Sequence, residues 1–223
     1  MTKAIFTKEW LKTRRYFFIC LALALCYAAY LILSMNRVAV GKGVDHIWLI
    51  MLMKDNLFVE AMKYLPIIIG VAIGVAQMSP EMSQKRLKLT LHLPYPQTRL
   101  VTLMLLTGVA ELLVIFLLQI AAIAIYDATF LPHELTSRVI LSTLPWYVAG
   151  FTAYFFTAAI CLEGSTRRRI VIALIGVCSL YAFFIQPAPE AYNAFLPWMV
   201  IFAAASILLV FNSIYRFKEG VQD

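Results

Sequence analysis

Few side chains in this sequence could do chemistry, and the most unusual of them lies inside an apolar run. Glu111 is near the middle of the run from Leu100 to Tyr126, and Gln119 follows two turns later on nearly the same helical face. If the run crosses a bilayer, inserting an acid there costs on the order of 2.5 to 3.5 kcal/mol. Glu111 is therefore expected to face a partner helix or a polar pathway, or to be protonated. A hydrogen bond between helices with no transport role is an equally open interpretation.

The motifs by which membrane enzymes are usually identified are absent from the sequence. It contains no HExxH metal motif, no paired acidic motif of intramembrane proteases, no GxSxG nucleophile turn and no GxxxxGK[ST] phosphate loop. Its three histidines, His46, His92 and His133, fall in separate connections, and its four cysteines form no CxxC pair. The sequence therefore predicts no catalytic centre, no metal site and no cofactor bound by this chain.

The composition is that of a membrane protein. Of the 223 residues, 62% are hydrophobic and 14% charged, against about 25% charged in a soluble domain. The mean hydropathy is +0.83. There is too little polar surface to cover a core in water, so the excess apolar surface is expected to face lipid.

Six apolar runs reach or approach the roughly 20 residues that a helix needs to span a bilayer. They are Tyr16 to Met35, Phe58 to Met78, Leu100 to Tyr126, Val139 to Leu162, Ile170 to Ile185 and Phe195 to Tyr215. Glu60 and Lys63 intrude on the second run, and the fifth is short. The pattern predicts an all-α fold in which residues 1–223 form one transmembrane domain of six helices.

The basic residues predict the topology. Fourteen of the 19 Lys and Arg residues fall in the N-terminal segment, in the connections after the second and fourth runs, and at the C-terminus. By the positive-inside rule both termini are cytoplasmic. A cleaved signal peptide would leave five spans and break this asymmetry, so an uncleaved first span is predicted. The net charge of +7 then matches anionic lipid headgroups, and no nucleic-acid partner is predicted.

The N-terminal segment AIFTKEWLKTRRYF has helical periodicity. Phe6 and Trp10 fall on one face, and Lys12 and Arg15 fall on another. This pattern predicts an interfacial helix over residues 1–15 that lies on the cytoplasmic membrane surface before the chain turns inward. A solvated basic tail is the alternative.

The connection 79–98, with the sequence SPEMSQKRLKLTLHLPYPQT, alternates like a β-strand from Arg86 onward. A strand needs a partner for its backbone N–H and C=O groups, and this connection offers no second strand-like run. At helical spacing Glu81 and Lys85 fall on a polar stripe, and Leu89 and Leu93 lie on the opposite side. The sequence therefore predicts a short amphipathic cytoplasmic helix.

The ends of that helix have suitable residues. Ser79 fits an N-cap and Pro80 fits a first helical residue, while Pro94 and Pro96 would end the helix near Leu93. Its apolar side could rest on lipid or dock on a cytoplasmic protein.

Two further patterns concern packing and the external side. Gly70 and Gly74 form a GxxxG in the second run, which favours close approach of helices. Prolines interrupt the last external connection, so a hairpin dipping toward the membrane is expected over residues 186–197.

Taken together, these features resemble the type-2 ATP-binding-cassette permease family. The resemblance is carried by the KEWLKTRR segment before the first span, by six spans, by the loop SPEMSQKRLKLTLHLPYPQTR and by the proline-broken external segment. Family loops often carry a Gly-Thr pair where this chain has Leu87 and Lys88. That difference puts the detail of the contact surface in doubt and leaves the topology unaffected.

The resemblance implies the permease subunit of an ATP-driven exporter in the cytoplasmic (inner) membrane of a bacterium. Partners would be two ATPase subunits, which would bind the ATP and Mg²⁺, and a second permease subunit, either identical or paralogous. The helix after the second span would be the coupling helix. Its implied contact residues are Glu81, Gln84, Lys85, Arg86, Leu89, Leu93 and Pro94.

Two other functions remain open on the sequence. One is a membrane scaffold or assembly protein without catalysis. The other is a secondary transporter, which is disfavoured because the chain has one intramembrane charge and no evident internal repeat.

Overall fold

The computed structural model describes residues 2–53, 57–83, 96–186 and 188–219, and its regular structure over these ranges is entirely helical. The all-α prediction is thus confirmed for the described chain. The helices are α1 (Thr2–Lys42), α2 (Val44–Met53), a 3-10 turn (Val59–Met62), α3 (Leu65–Ser83), α4 (Gln97–Phe130), α5 (His133–Leu162), α6 (Thr166–Ala182) and α7 (Leu196–Glu219).

Five helical segments are long and apolar enough to cross a membrane. They are α1, the 3-10 turn together with α3, α4, α5 and α7. A multi-pass membrane protein follows from these lengths and compositions. The predicted fifth span, Ile170 to Ile185, overlaps α6, whose 17 residues reach about 26 Å, a little short of a hydrocarbon core of about 30 Å. A sixth span therefore stays a prediction.

Successive helices run between two ends of one bundle. At the end that carries the N-terminus, Lys8 of α1 pairs with Glu81 near the end of α3. At the opposite end, Arg138 of α5 donates a hydrogen bond to the carbonyl of Met51 in α2. Tyr64 packs there against Phe184, which follows α6, with the two rings tilted relative to each other. Most basic residues of the described ranges lie at the N-terminal end.

Helix α1 differs from the prediction for the N-terminal segment. It runs unbroken for 41 residues, about 60 Å, so the expected turn between an interfacial helix and the first span is absent. The segment from Thr2 to Val40 contains no Gly or Pro that would favour a break. Phe6 and Arg15 are exposed, whereas Trp10 packs edge-on against Phe17 at 5.1 Å between ring centroids.

Helix α3 differs from the prediction for the connection that follows it. Pro80 lies inside α3, which continues to Ser83, so Ser79 and Pro80 do not begin a new helix. A proline there removes one backbone hydrogen bond, and the loss is confined to the last turn. The remaining residues assigned to the coupling surface, Gln84, Lys85, Arg86, Leu89, Leu93 and Pro94, lie outside the described residues.

The two glycines of α3 lie where this helix packs against α5. A Cβ on Gly70 would clash with the carbonyl oxygen of Gly150, and a Cβ on Gly74 would lie 3.0 Å from Cβ of Thr157. In turn, a Cβ on Gly150 would lie 2.7 Å from the carbonyl oxygen of Pro66. The glycines therefore allow the two backbones to approach closely.

We expect Gly70→Ala to destabilise the bundle by roughly 1 to 3 kcal/mol, because the new methyl group forces two packed backbones apart. Thermal unfolding of the purified protein in detergent measures the effect. Gly41→Ala is the matched control, since Gly41 lies in α1 with nothing within 4 Å of its virtual Cβ. Equal melting temperatures for the two variants would contradict the packing assignment.

The segment between α6 and α7 is a series of turns, with residue 187 outside the described residues. Tyr192 links the segment to the end of α6 by two hydrogen bonds. Its hydroxyl accepts from the Gln186 amide at 2.9 Å and donates to the Ala182 carbonyl at 3.1 Å. Glu190 has a positive φ of 60°, and its amide donates to Ser142 Oγ at 3.0 Å. The chain thus departs from helix here as predicted from its prolines, and dipping toward a membrane stays a prediction.

Candidate functional site

A cluster of polar side chains joins four helices at the N-terminal end of the bundle. Positions 8, 9, 12 and 13 share one face of α1, because residues three and four apart are neighbours on a helix. Gln77 and Glu81 share a face of α3 for the same reason. The polar cluster comprises Lys8, Glu9, Lys12 and Thr13 of α1, Gln77 and Glu81 of α3, Glu111 of α4 and Tyr154 of α5.

The cluster is buried except for Lys8, whose side chain is 38% exposed. The exposure of Glu9, Thr13, Gln77, Glu81 and Tyr154 is 0%. Buried charges are costly unless paired, so this burial requires an internal set of partners.

Lys8 and Lys12 are the partners of the buried carboxylates. Nζ of Lys12 lies 2.8 Å from Oε2 of Glu9 and 2.9 Å from Oε1 of Glu81. Nζ of Lys8 lies 3.0 Å from the same oxygen of Glu81 and 3.7 Å from Oε1 of Glu9. Two ammonium groups therefore balance two carboxylates and fasten α1 to the end of α3.

Gln77 connects these ion pairs to α4 and α5. Its Nε2 donates to Oε2 of Glu9 at 3.1 Å and to the carbonyl of Met104 at 2.7 Å. Its Oε1 accepts from the hydroxyl of Tyr154 at 2.7 Å. Gly108 of α4 leaves room for this bond, because a Cβ there would clash with the Tyr154 hydroxyl.

We expect Tyr154→Phe to lower the free energy of unfolding by about 1 to 3 kcal/mol, because the buried Oε1 of Gln77 loses its hydrogen-bond donor. Equilibrium unfolding in mixed micelles measures the change. Tyr181→Phe makes the same deletion on a side chain that is 70% exposed and should leave the free energy of unfolding unchanged. A neutral Tyr154→Phe would mean that Gln77 does not depend on this donor.

Glu111 lies beside the ion pairs, 4% exposed. Its Oε1 is in hydrogen-bond contact with Oγ1 of Thr13. Of the placements considered from the sequence, the structure puts Glu111 against a partner helix, α1.

Gln119, two turns further along α4, also contacts α1. Its Nε2 donates to the carbonyl of Ala24 at 3.1 Å and approaches Sδ of Met62 at 3.0 Å, and its Oε1 accepts from Tyr147 at 3.4 Å. These contacts hold α1, α4 and α5 together without charge.

A second charged group, which sequence reasoning did not single out, surrounds Glu163 at the same end of the bundle. Ser213 of α7 donates to Oε2 of Glu163 at 3.1 Å, and Nε of Arg216 lies 3.9 Å from Oε1. Arg168 of α6 lies 4.0 Å from the carboxylate, and Nε of Arg169 donates to the Glu163 carbonyl at 2.7 Å. Glu163 thereby joins the end of α5 to α6 and α7.

Of the residues predicted to contact an ATPase, only Glu81 lies within the described ranges. Glu81 points into the polar cluster, so this residue does not present its side chain to a partner in this structure. Lys12, predicted on the polar side of an interfacial helix, also points into the cluster.

Sequence reasoning missed Glu9, Gln77, Tyr154 and Glu163 as site residues. The spacing of Gln77 and Glu81 at i, i+4 was a usable signal for the first group, since both fall on one face of α3. No comparable signal linked them to α1, because the partners are 68 residues apart or more along the chain.

Within the described ranges, no three His, Cys, Asp or Glu side chains lie close enough together to hold a metal ion. Comparison with known proteins finds no protein-family model, no curated protein and no solved structure that matches this chain.

Proposed function

We propose that this chain is the membrane permease subunit of an ATP-driven transporter, working with separate ATPase subunits and a second permease subunit. The observation that carries the proposal is the attachment of α1 to the end of α3 by buried ion pairs. Lys8 and Lys12 hold Glu81 two residues before α3 ends at Ser83. Residues 84–93, the rest of the predicted coupling helix, follow directly.

This position suits the transmission of movement. A force applied to residues 84–95 would pass through the last turn of α3 into α1 through Glu81, and into α4 and α5 through Gln77. The carboxylates of Glu9 and Glu81 are 0% exposed and the side chain of Lys12 is 9% exposed, so their ion pairs are little screened by solvent and the four helices would move together. ATP binding on the partner would thus change the arrangement of the spans.

The orientation follows from charge. The N-terminal end of the bundle carries the basic residues of the N-terminal segment, of the first turn of α6 around Arg168 and of the last turn of α7 around Arg216. We assign this end, with both termini, to the cytoplasm of a bacterial cell, and we count α6 as the sixth span. We assign the direction as export on the family resemblance.

Recovery of an ATPase tests the proposal. The tagged chain is solubilised in mild detergent from membranes of cells that express it naturally, and co-purified proteins are identified by mass spectrometry. We expect an ATP-binding-cassette ATPase in comparable amount. The double variant Leu89→Asp/Leu93→Asp should lose it, because charges replace the predicted apolar docking side.

Val40→Asp is the matched control for that double variant. It adds a charge at a residue that is 82% exposed at the opposite end of the bundle, so the ATPase should still be recovered. If no ATPase co-purifies with the native chain, the permease assignment is wrong, and a membrane scaffold or a secondary transporter is the better assignment. If the ATPase remains with the double variant, the coupling surface is not the predicted one.

A further inference from the structure

The hydroxyl group of Thr13 lies between two oxygen acceptors. Its Oγ1 is 3.0 Å from the carbonyl oxygen of Glu9, one turn earlier in α1, and it is also in contact with Oε1 of Glu111 in α4. A hydroxyl has one proton to donate. If Glu111 were a carboxylate, both neighbours would be acceptors and one contact would join two oxygens with no proton between them.

A proton on Glu111 resolves this conflict. The carboxylic acid donates from Oε1 to Oγ1 of Thr13, and Thr13 donates to the carbonyl of Glu9. Every contact in the chain then has a donor and an acceptor. The other oxygen, Oε2 of Glu111, is buried with no hydrogen-bond partner among the described residues, which costs less for the carbonyl oxygen of an acid than for a carboxylate.

The charges of the polar cluster also favour a protonated Glu111. The polar cluster contains two lysines and three acids, and Lys8 and Lys12 already pair with Glu9 and Glu81. Within the described residues, a third carboxylate would leave one uncompensated negative charge at a residue only 4% exposed. As an acid, Glu111 leaves the buried cluster neutral.

We infer that Glu111 and Thr13 form a proton-binding site whose occupancy holds the N-terminal arm of α1, residues 2–15, against α3 and α4. The titratable groups that interact with Glu111 are Glu9, Lys12 and Cys20 of α1 and Tyr154 of α5. From α3, Glu81 faces the same cluster through Lys12. Among the described hydrogen bonds, none of these groups donates to Oγ1 of Thr13 in place of the protonated Glu111.

Release of the proton to water leaves a carboxylate beside Glu9 and separates α1 from α4 by repulsion. The arm is therefore docked while the acid is protonated and loosens as the pH rises through its titration. The site does not depend on the transport proposal, since it is defined by contacts within one chain.

Infrared spectroscopy tests the inference on the full chain in nanodiscs at neutral pH. We expect the spectrum of the native protein minus that of Glu111→Gln to show the C=O stretch of a protonated carboxylic acid, shifted in D₂O. The matched control is Glu163→Gln, which removes another buried acid that faces arginines and should give no such band. If the native spectrum minus that of Glu111→Gln lacks the band, the inference is overturned.

If the Glu111→Gln variant fails to fold, Thr13→Val provides a second infrared test in which Glu111 is retained. Valine matches threonine in shape and removes the oxygen that accepts from the acid, so the C=O band should move to a higher frequency. Circular dichroism confirms that the helices are intact. A band at an unchanged frequency would show that Glu111 does not donate to Thr13.

Discussion

Lys12→Met is expected to lower the free energy of unfolding by about 3 to 5 kcal/mol, the range measured when one partner of a buried ion pair is removed. Lys12 lies within 3 Å of both Glu9 and Glu81, and each of these residues is 0% exposed. Methionine keeps most of the side-chain volume, so the loss is electrostatic. Equilibrium unfolding in mixed micelles measures it.

The control for this variant is Lys8→Met, which removes the same charge from the same helix face. The side chain of Lys8 is 38% exposed, so water replaces part of its interaction and the effect should be smaller. The double variant Lys12→Met/Glu81→Leu should recover part of the stability, because it removes a buried charge of each sign. Equal losses for the two single lysine variants would contradict the assignment of Lys12 as the central cation.

Glu163→Leu is expected to have the second large effect, about 3 to 5 kcal/mol. Glu163 is 1% exposed, and it is the acid that faces Arg168 and Arg216 within 4.0 Å. Its removal takes this counter-ion away from both arginines and leaves α6 and α7 less firmly attached to α5. Limited proteolysis near the C-terminus should become faster, and the midpoint of unfolding should fall.

Glu134→Leu is the matched control for Glu163→Leu. Glu134 is an exposed residue in the first turn of α5, at the opposite end of the bundle, and its loss should change stability by no more than about 0.5 kcal/mol. A Glu163→Leu protein as stable as Glu134→Leu would show that the arginines find other partners or solvent at no cost.

The spans could be read from the sequence because apolar length is a property of each segment by itself. The runs that correspond to α4, α5 and α7 were predicted from composition alone, and the structure has helices there. The run from Ile170 to Ile185 is short for a membrane span, because few residues separate Arg169 from Pro187. The helix α6 in this region is correspondingly short.

The polar cluster could not be read in this way, because its residues come from four helices. Periodicity assigned Lys12 to a polar face, whereas its side chain is enclosed through an ion pair with Glu81 on another helix. A helical pattern shows which residues share a face. It does not show what that face meets.

Pro80 illustrates a second limit. Proline favours the first turn of a helix, so it was read as a start. It is also tolerated in the last turn of α3, where Glu81, one residue later, is held by Lys8 and Lys12. Tertiary ion pairs thus outweigh a local preference.

Pulsed electron paramagnetic resonance measures directly whether the polar cluster docks the N-terminal arm of α1. Spin labels are placed at Lys3→Cys and Arg99→Cys, both exposed, after the four native cysteines are replaced by alanine. Thr2 and Arg99 line one surface cleft, so the labels report the distance from the arm to the start of α4.

We expect a single narrow distance distribution for this labelled pair, and a longer, broader one when Lys12→Met is added. The added Lys8→Met variant should remain closer to the parent. A broad distribution in the parent, or an unchanged one with Lys12→Met, would contradict docking by buried ion pairs and would favour an arm that lies free on the membrane surface.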